Sequence, residues 1–223
     1  MQGAAHGAWP AYDSRDIRTG IVHLGLGNFH RAHQAVYTDA VLARDPRWGI
    51  CGVSLKSRGV VDALRAQDHL YSVVAKSGEG TGCDGITARI IGSVREALCG
   101  ADEMAQVIAR IGAVDTRIVT LTITEKGYGH DPASGKLNFT HPDIAHDLQH
   151  ADTPRSALGA LFRGLCTRKA LTPRVSGRLT VLSCDNLPHN GTTLAGLMRE
   201  FSTAADASYT IREDTACRIL STI

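Results

Sequence analysis

The sequence lacks any uninterrupted apolar run of about 18 residues, the length that a membrane-spanning helix needs. Its N-terminus also lacks the basic start and apolar stretch of a secretory signal peptide. These absences argue against a membrane protein and against a secreted one. We therefore expect a soluble, cytoplasmic protein that has no membrane partner.

No two cysteines form a C-x-x-C pair, although the chain contains six of them. Their wide separation argues against a zinc knuckle and against a compact disulfide framework. Reduced thiols in a cytoplasm are the simplest interpretation, and we expect no metal site.

An excess of one charge is also missing, because 24 Lys and Arg residues face 22 Asp and Glu residues and both signs are interspersed. A nucleic-acid-binding protein usually concentrates basic residues on one face, so we expect no nucleic-acid partner. The 223 residues contain no internal repeat and suffice for one large α/β domain or for one domain plus a fragment.

Short apolar runs alternate with stretches of helical spacing along the chain. The runs that predict strands are residues 21–26, 50–55, 118–123 and 179–183. The stretches that predict helices are residues 29–43, 60–67, 102–111, 156–169 and 191–201. This alternation predicts an α/β fold of the Rossmann-like, doubly wound type with a mostly parallel sheet.

Three other segments complete the pattern. Residues 70–75 and 86–91 are rich in β-branched side chains, and the glycine-rich segment between them predicts a hairpin that leaves the main sheet. Residues 127–153 are rich in Gly, Pro, His and Asp, which predicts a long functional loop. Residues 211–223 have a helical or unclear pattern.

The strongest local motif is GLGNFH, which lies where the first strand meets the first helix. In a dinucleotide-binding fold, the glycines matching Gly25 and Gly27 permit a tight turn and the approach of a pyrophosphate to the backbone. His30 occupies the third glycine position, so the motif is incomplete. An ordinary strand-to-helix turn is the alternative.

The end of the second strand lacks the acidic residue that usually holds the ribose hydroxyls of NAD. Lys56 and Arg58 stand there instead. They would suit the 2′-phosphate of NADP, or they form a solvated basic turn.

Polar residues also follow the later strands. Thr122, Thr124 and Glu125 lie where a doubly wound fold places ligand contacts, although threonine is common in strands for packing reasons alone. Asp185 and Asn186 favour a turn after the last predicted strand. His30 and His33 could share a metal, but no third ligand is evident, so packing and phosphate contact are the better interpretation.

Four motifs in order resemble the mannitol dehydrogenase family of long-chain polyol dehydrogenases. They are IVHLGLGNFHRAHQAVYTDAVL at 21–42, WGICGVSL at 48–55, RIVTLTITEKGY at 117–128 and LSCDNLPHNG at 182–191. The resemblance runs over nearly the whole chain and implies a zinc-independent Rossmann-like domain for NAD or NADP. It implies that Asn186 helps to form an oxyanion hole for the substrate oxygen.

From the residues and the resemblance together, we predict three segments. They are an N-terminal extension at 1–20, a dinucleotide-binding domain at 21–205, and a truncated or divergent start of a further domain at 206–223. The predicted cofactor contacts are Gly25, Gly27, Asn28, Phe29, His30, Arg31, Lys56, Arg58, Thr122, Thr124, Glu125 and Asp185.

The family resembled here also has a helical C-terminal domain whose general-base lysine lies in a K-x4-N-x2-H pattern, and that pattern does not occur in this sequence. The resemblance implies hydride transfer between a nicotinamide and a polyol, a ketose or a keto-uronate. We expect the chain alone to be inactive and to self-associate through an uncovered face. The alternative is a dinucleotide-binding fragment or sensor without catalysis.

Overall fold

The computed structural model describes residues 9–76, 86–131, 133–171, 179–206 and 217–220, except for the side chains at 125, 171, 217 and 218. Its strands are β1 (Thr19–Leu24), β2 (Gly49–Ser54), β3 (Tyr71–Lys76), β4 (Ile86–Ile91), β5 (Val94–Cys99), β6 (Ile118–Leu121), β7 (Leu179–Ser183) and β8 (Cys217–Leu220). Its helices are α1 (Asn28–Ala32), α2 (Gln34–Leu42), α3 (Gly59–Arg65), α4 (Gly100–Gly112), α5 (Thr124–Gly127), α6 (Pro142–Gln149), α7 (Ala157–Leu171) and α8 (Asn190–Ala205).

Six strands form one sheet in the order β5-β2-β1-β6-β7-β8, and every neighbouring pair is parallel. Chain order therefore runs outward in one direction from β1 to β5 and in the other from β6 to β8. This is the doubly wound topology of dinucleotide-binding folds. The predicted fold class is confirmed.

The predicted hairpin is present as a separate two-stranded sheet. β3 and β4 pair antiparallel, from Tyr71 opposite Ile91 to Lys76 opposite Ile86. The glycine-rich segment 77–85 lies outside the described residues. The pair leaves the main sheet between β2 and β5, as expected for an excursion.

The structure corrects three expectations. The long loop predicted at 127–153 is wrong, because α6 lies inside it with Pro142 in its first turn. β5 was not predicted at all, since only two residues separate it from β4. The helical pattern at 211–223 is wrong for Cys217–Leu220, which pairs parallel to β7, and the rest of that segment lies outside the described residues.

Two apolar clusters cover the two faces of the sheet. Val22 and Leu24 of β1 point to one face, where Val107 of α4 and Leu161 of α7 bury them. Ile21 points to the other face. Side chains alternate along a strand, so the next residue on this second face is His23.

Helix α4 illustrates why these segments are helical. Met104, Val107 and Ile111 recur at intervals of three and four residues and are buried on one side of the helix. Asp102 lies in the first turn, where a negative charge suits the helix dipole. Among the described helices, none is long and apolar enough to cross a membrane.

Candidate functional site

The carboxyl ends of β1 and β6 mark the point where the order of the strands reverses. β1 lies between β2 and β6, and its register pairs Leu24 with Leu121. In open α/β sheets the connections after two such strands leave in opposite directions and open a crevice between them. Gly25 and Thr122 are the first residues beyond these strands and face each other across the crevice.

A cavity of about 380 Å³ occupies this crevice. Its walls come from the turns after β1, β2 and β6 and from the region of α6 and α7. The lining residues include Gly25, Leu26, Gly27, Ser54, Leu55, Lys56, Ser57, Thr122, Ile123, Thr124, Lys126, His141, Asp143, Arg155 and Ser156. Three cationic side chains therefore line it, against one carboxylate, which favours an anionic ligand.

The two glycines of the first turn differ in what they permit. Gly25 has a φ of +107°, and a Cβ there would lie 2.0 Å from the Thr122 carbonyl oxygen. Only glycine fits such a position. A Cβ at Gly27 would meet nothing nearer than the Gly25 carbonyl oxygen at 3.7 Å, and Gly27 lines the cavity. The backbone at Gly27 is therefore open to a ligand.

Below the turn, the carbonyl oxygen of Gly25 points into the protein and has three polar groups within hydrogen-bonding distance. They are the Gly27 amide at 2.6 Å, the Thr122 Oγ1 hydroxyl at 2.9 Å and His23 Nε2 at 3.0 Å. His23 Nδ1 lies 2.7 Å from Thr120 Oγ1 on the neighbouring strand. The turn is thus fastened to β6 through side chains of both strands.

His30 lies directly against His23. The two rings are stacked, with centroids 3.6 Å apart and planes inclined by 13°. Burial lowers the pKa of His23 to about 3 and lowers the pKa of His30 well below its usual 6.5, and for His30 the adjacent His23 and Arg31 act in the same direction. Both imidazoles are therefore neutral at physiological pH.

The other predicted residues of the first turn lie outside the lining of the cavity. Phe29 is 59% exposed, and its ring stacks on His33 at 4.4 Å. Asn28 accepts a hydrogen bond from Arg31 within the first helical turn. His30 is buried, as described above. The structure thus brings Gly25 and Gly27 to the cavity, and places the remaining residues of the motif around helix α1.

The two cations after β2 have different positions. Lys56 lines the cavity, and its Nζ lies 2.8 Å from Asp143 Oδ2 of α6. Arg58 is outside that lining and forms ion pairs with Asp102 at 2.6 Å and with Asp62 at 3.4 Å. Each cation therefore already holds a carboxylate, which a 2′-phosphate would have to replace.

Asp185 lies beneath the turn that follows β6. Its carboxylate accepts from the Ile123 amide at 3.1 Å, the Thr124 amide at 2.9 Å and the Tyr128 hydroxyl at 2.7 Å. Thr124 has a φ of +64°, which is unfavourable for a residue with a branched side chain. Asp185 is buried and acts on the cavity through this backbone.

The remaining predicted residues are spread along the same edge of the sheet. Thr122 and Thr124 line the cavity. Glu125 belongs to α5, and its side chain lies outside the described part of the structure. Asn186 is exposed in the turn after β7 and is not among the lining residues that the structure describes.

Sequence reasoning missed His23, Asp143 and Arg155. His23 carried a signal, since a histidine inside the apolar run IVHLGL needs a reason to be buried. Asp143 and Arg155 fell in or after a segment that was taken for a loop. His146 of α6 is also largely buried, since only 17% of its side chain is exposed, and its Nδ1 lies 3.1 Å from Asp147 Oδ1.

Comparison with known proteins gives consistent relationships. A family model described as the mannitol dehydrogenase Rossmann domain matches residues 19–216. A mannitol 2-dehydrogenase of Pyricularia oryzae is 40% identical over 209 residues, which is 89% of this chain and 39% of that protein. An uncharacterized oxidoreductase of Escherichia coli, YeiQ, is 47% identical over 187 residues, which is 82% of this chain and 36% of that protein.

Among solved structures, the mannitol 2-dehydrogenase of Pseudomonas fluorescens in a ternary complex with NAD and D-mannitol superposes with a TM-score of 0.82. It is 38% identical, and the match covers 92% of this chain and 41% of that one. The chain thus spans about two fifths of the length of these relatives. Within the described residues, no group of three or more His, Cys, Asp or Glu side chains could hold a metal ion.

Proposed function

This chain belongs to the mannitol dehydrogenase family, and on that premise we propose that it binds NAD or NADP at the crevice between β1 and β6. The whole protein would be an oxidoreductase for a sugar alcohol, a ketose or a keto-uronate, of the mannitol/fructose or mannonate/fructuronate type. The bound nicotinamide would accept or return a hydride. The residues described above would hold and orient the cofactor.

The observation that carries this proposal is the open backbone of Gly27 at the reversal point of the sheet. A pyrophosphate needs close access to backbone amides at the start of a helix, and a Cβ at Gly27 would project into that space. The cationic lining of Lys56, Lys126 and Arg155 suits the phosphate charge. Residues and ligand class therefore fit.

A second cavity of about 620 Å³ adjoins the first and shares Leu55, Lys56, Asp143 and Arg155 with it. Ala101 and Met104 of α4 give its far wall an apolar part. Together the two cavities provide room for both halves of a dinucleotide along the carboxyl edge of the sheet. Lys56 and Asp143 would lie between the two halves.

For the chemical step, we propose that Asn186 donates its side-chain amide to the substrate oxygen. A donor aimed at a developing alkoxide stabilises charge where it forms. Asn186 follows β7 on the same edge of the sheet as the cavity and is exposed, so its amide is accessible. In our proposal, the general-base lysine comes from the part of the family that this chain does not match.

We also propose that the protein works in the cytoplasm on small molecules, without a nucleic-acid or membrane partner. The interspersed charges of the sequence support the absence of a polyanionic partner. The structure describes the side chains of four cysteines, and all four are free thiols. Free thiols suit a reducing compartment.

The proposal is tested by titrating the purified chain with NADH and NADPH and following the nucleotide fluorescence, then adding fructose and fructuronate. We expect saturable binding that Gly27→Val weakens at least about tenfold, since the side chain would fill the phosphate approach. Gly196→Ala is the matched control, because a Cβ there meets nothing within 4 Å. Binding of neither nucleotide by the unaltered chain would overturn the proposal.

A further inference from the structure

The motif at the first turn departs from the dinucleotide fingerprint at His30, which stands where the third glycine is usual. That glycine normally allows the helix to pack closely on the strand. Here the imidazole of His30 on α1 stacks on the imidazole of His23 on β1 instead, with ring centroids 3.6 Å apart. The two ring planes are inclined by only 13°, so the contact between α1 and β1 at this point is face to face.

His23 also makes polar contacts through its two ring nitrogens. Its Nε2 lies 3.0 Å from the Gly25 carbonyl oxygen and 2.9 Å from Thr122 Oγ1. The carbonyl oxygen can only accept, so a hydrogen bond between the two groups requires the hydrogen on Nε2. Nδ1 then takes the hydrogen of the Thr120 hydroxyl, for which the Gln34 side-chain oxygen at 3.0 Å from Oγ1 is the competing acceptor. This neutral tautomer gives each ring nitrogen of His23 a partner.

The Gly25 carbonyl thereby determines which side of the turn faces outward. With its oxygen held inward by His23, by Thr122 and by the Gly27 amide, the peptide plane after Gly25 cannot rotate. Gly25 has no side chain that would restrict φ or ψ, so these bonds do the restricting. The open face of Gly27 is thus kept toward the cavity.

We propose that His23 is a positioning residue for the dinucleotide, which acts by donating from Nε2 to the Gly25 carbonyl oxygen, and that the His23–His30 stack takes the place of the third glycine. This inference rests on the proposed function, because the turn that His23 holds is the one proposed to bind the pyrophosphate. His23 itself touches no cofactor in this account. The burial of the pair, which keeps both rings uncharged, agrees with it.

Two substitutions separate positioning from packing. The side-chain amide of His23→Gln can reach the location of Nε2 and donate to Gly25, whereas the amide of His23→Asn reaches only as far as Nδ1 and Thr120. Both substitutions lose the stack on His30, so the melting temperature falls in both. If His23 only packs, the two variants bind nucleotide equally.

The experiment measures Kd for NADH by fluorescence in the unaltered chain, H23N and H23Q. We expect H23N to bind about tenfold more weakly and H23Q within about threefold of the unaltered chain, which corresponds to the loss or retention of one hydrogen bond. Equal affinities in the two variants, or full affinity in H23N, would overturn the role of His23. If the unaltered chain binds neither NADH nor NADPH, the proposed function fails first.

If either variant fails to fold, ¹⁵N spectra of the unaltered chain give a direct measurement. We expect the His23 imidazole to be neutral with its hydrogen on Nε2. A hydrogen on Nδ1 would remove the donor to Gly25 and overturn the inference.

Discussion

The two ring nitrogens of His30 are buried without a hydrogen-bond partner in the described structure. An unpartnered buried polar atom lowers stability by about 1–3 kcal/mol. His30 nevertheless contributes through the stack on His23 and through the space it fills under the glycine turn. Substitution of His30 can therefore separate the stabilisation that comes from packing from the destabilisation that comes from the unpartnered nitrogens.

We expect His30→Phe to leave the free energy of unfolding unchanged or to raise it by up to about 2 kcal/mol, because a phenyl ring keeps the stack and has no polar atoms. His30→Ala should lower it by about 2–4 kcal/mol through the cavity it leaves. Urea unfolding of the three proteins measures both effects. A marked loss in His30→Phe would show that the imidazole nitrogens have a partner.

Stability should also depend on pH through the same pair. The pKa of His23 falls to about 3 and that of His30 lies well below 6.5, whereas in the unfolded chain both return to about 6.5. The unfolded state therefore binds more protons below pH 6.5. The stabilisation is complete above that pH and is lost as the pH falls toward 3.

At pH 5 the loss from His23 should be about 2 kcal/mol relative to pH 8, and His30 should add a loss in the same direction. Urea midpoints between pH 8 and pH 5 measure the loss, a range that largely avoids carboxylate titration. In His30→Phe the part of this pH dependence that comes from His30 should disappear. If the urea midpoint of His30→Phe depended on pH as strongly as that of the unaltered chain, the role of His30 in this pH dependence would be contradicted.

At the scale of elements, the turn between β6 and α5 depends on a carboxylate from another strand. Asp185 accepts from two backbone amides of that turn and from the Tyr128 hydroxyl. Hydrogen bonds to a charged acceptor are worth about 1.5–3 kcal/mol each when one partner is removed. They hold Thr124 in its left-handed conformation.

Asp185→Asn should therefore lower the free energy of unfolding by about 2–3 kcal/mol, because the introduced NH₂ group faces donors. Asp152→Asn is the control. Asp152 is 89% exposed and pairs with Arg163, and surface pairs contribute at most about 1 kcal/mol. Chemical denaturation compares the two variants, and equal losses would contradict a special role for Asp185.

Local sequence patterns predicted the elements that have a clear apolar run or helical spacing, and missed α6 and β5. The strand-to-helix alternation predicted a doubly wound, mostly parallel sheet, because buried parallel strands are apolar runs bounded by turns. α6 had a readable signal in Pro142, Asp143 and Ile144 that its polar surroundings concealed. β5 had none, since only two residues separate it from β4 and the chain changes sheet at that point.

The same division holds for the candidate site. Gly25, Gly27 and Thr122 follow from the topology, because they lie within three residues of the ends of two strands that meet at the reversal point. The inward roles of His23 and Asp185 depend on partners 97 and 61–62 residues away in the sequence. No local pattern specifies such pairs, so only the folded chain reveals them.

At the scale of the whole molecule, exposed apolar side chains lie along the pair of helices that follows the glycine turn. Phe29, Tyr37 and Val41 are 59%, 73% and 44% exposed. Tyr37 and Val41 are four residues apart in α2 and therefore share one side of that helix. We expect the self-association predicted from the sequence to use this side of α2.

We therefore expect sedimentation velocity to show association that increases with protein concentration. The double substitution Tyr37→Lys with Val41→Lys should reduce it, because charge on an apolar contact opposes desolvation. Val114→Lys, at another exposed apolar position on the described surface, is the control. A monomer at every concentration would contradict the prediction.

The central position of β1 has a further effect, on the order in which the protein can form as it is synthesised. Gly25 and Thr122 are joined by a hydrogen bond across 97 residues. At about 5–20 residues per second, a ribosome needs about 5 to 20 s to make that interval. Until then β1 has an open edge, which is prone to wrong pairing. The crevice between β1 and β6 is therefore completed only after β6 emerges, and a nascent chain carries the glycine turn for seconds before it can close.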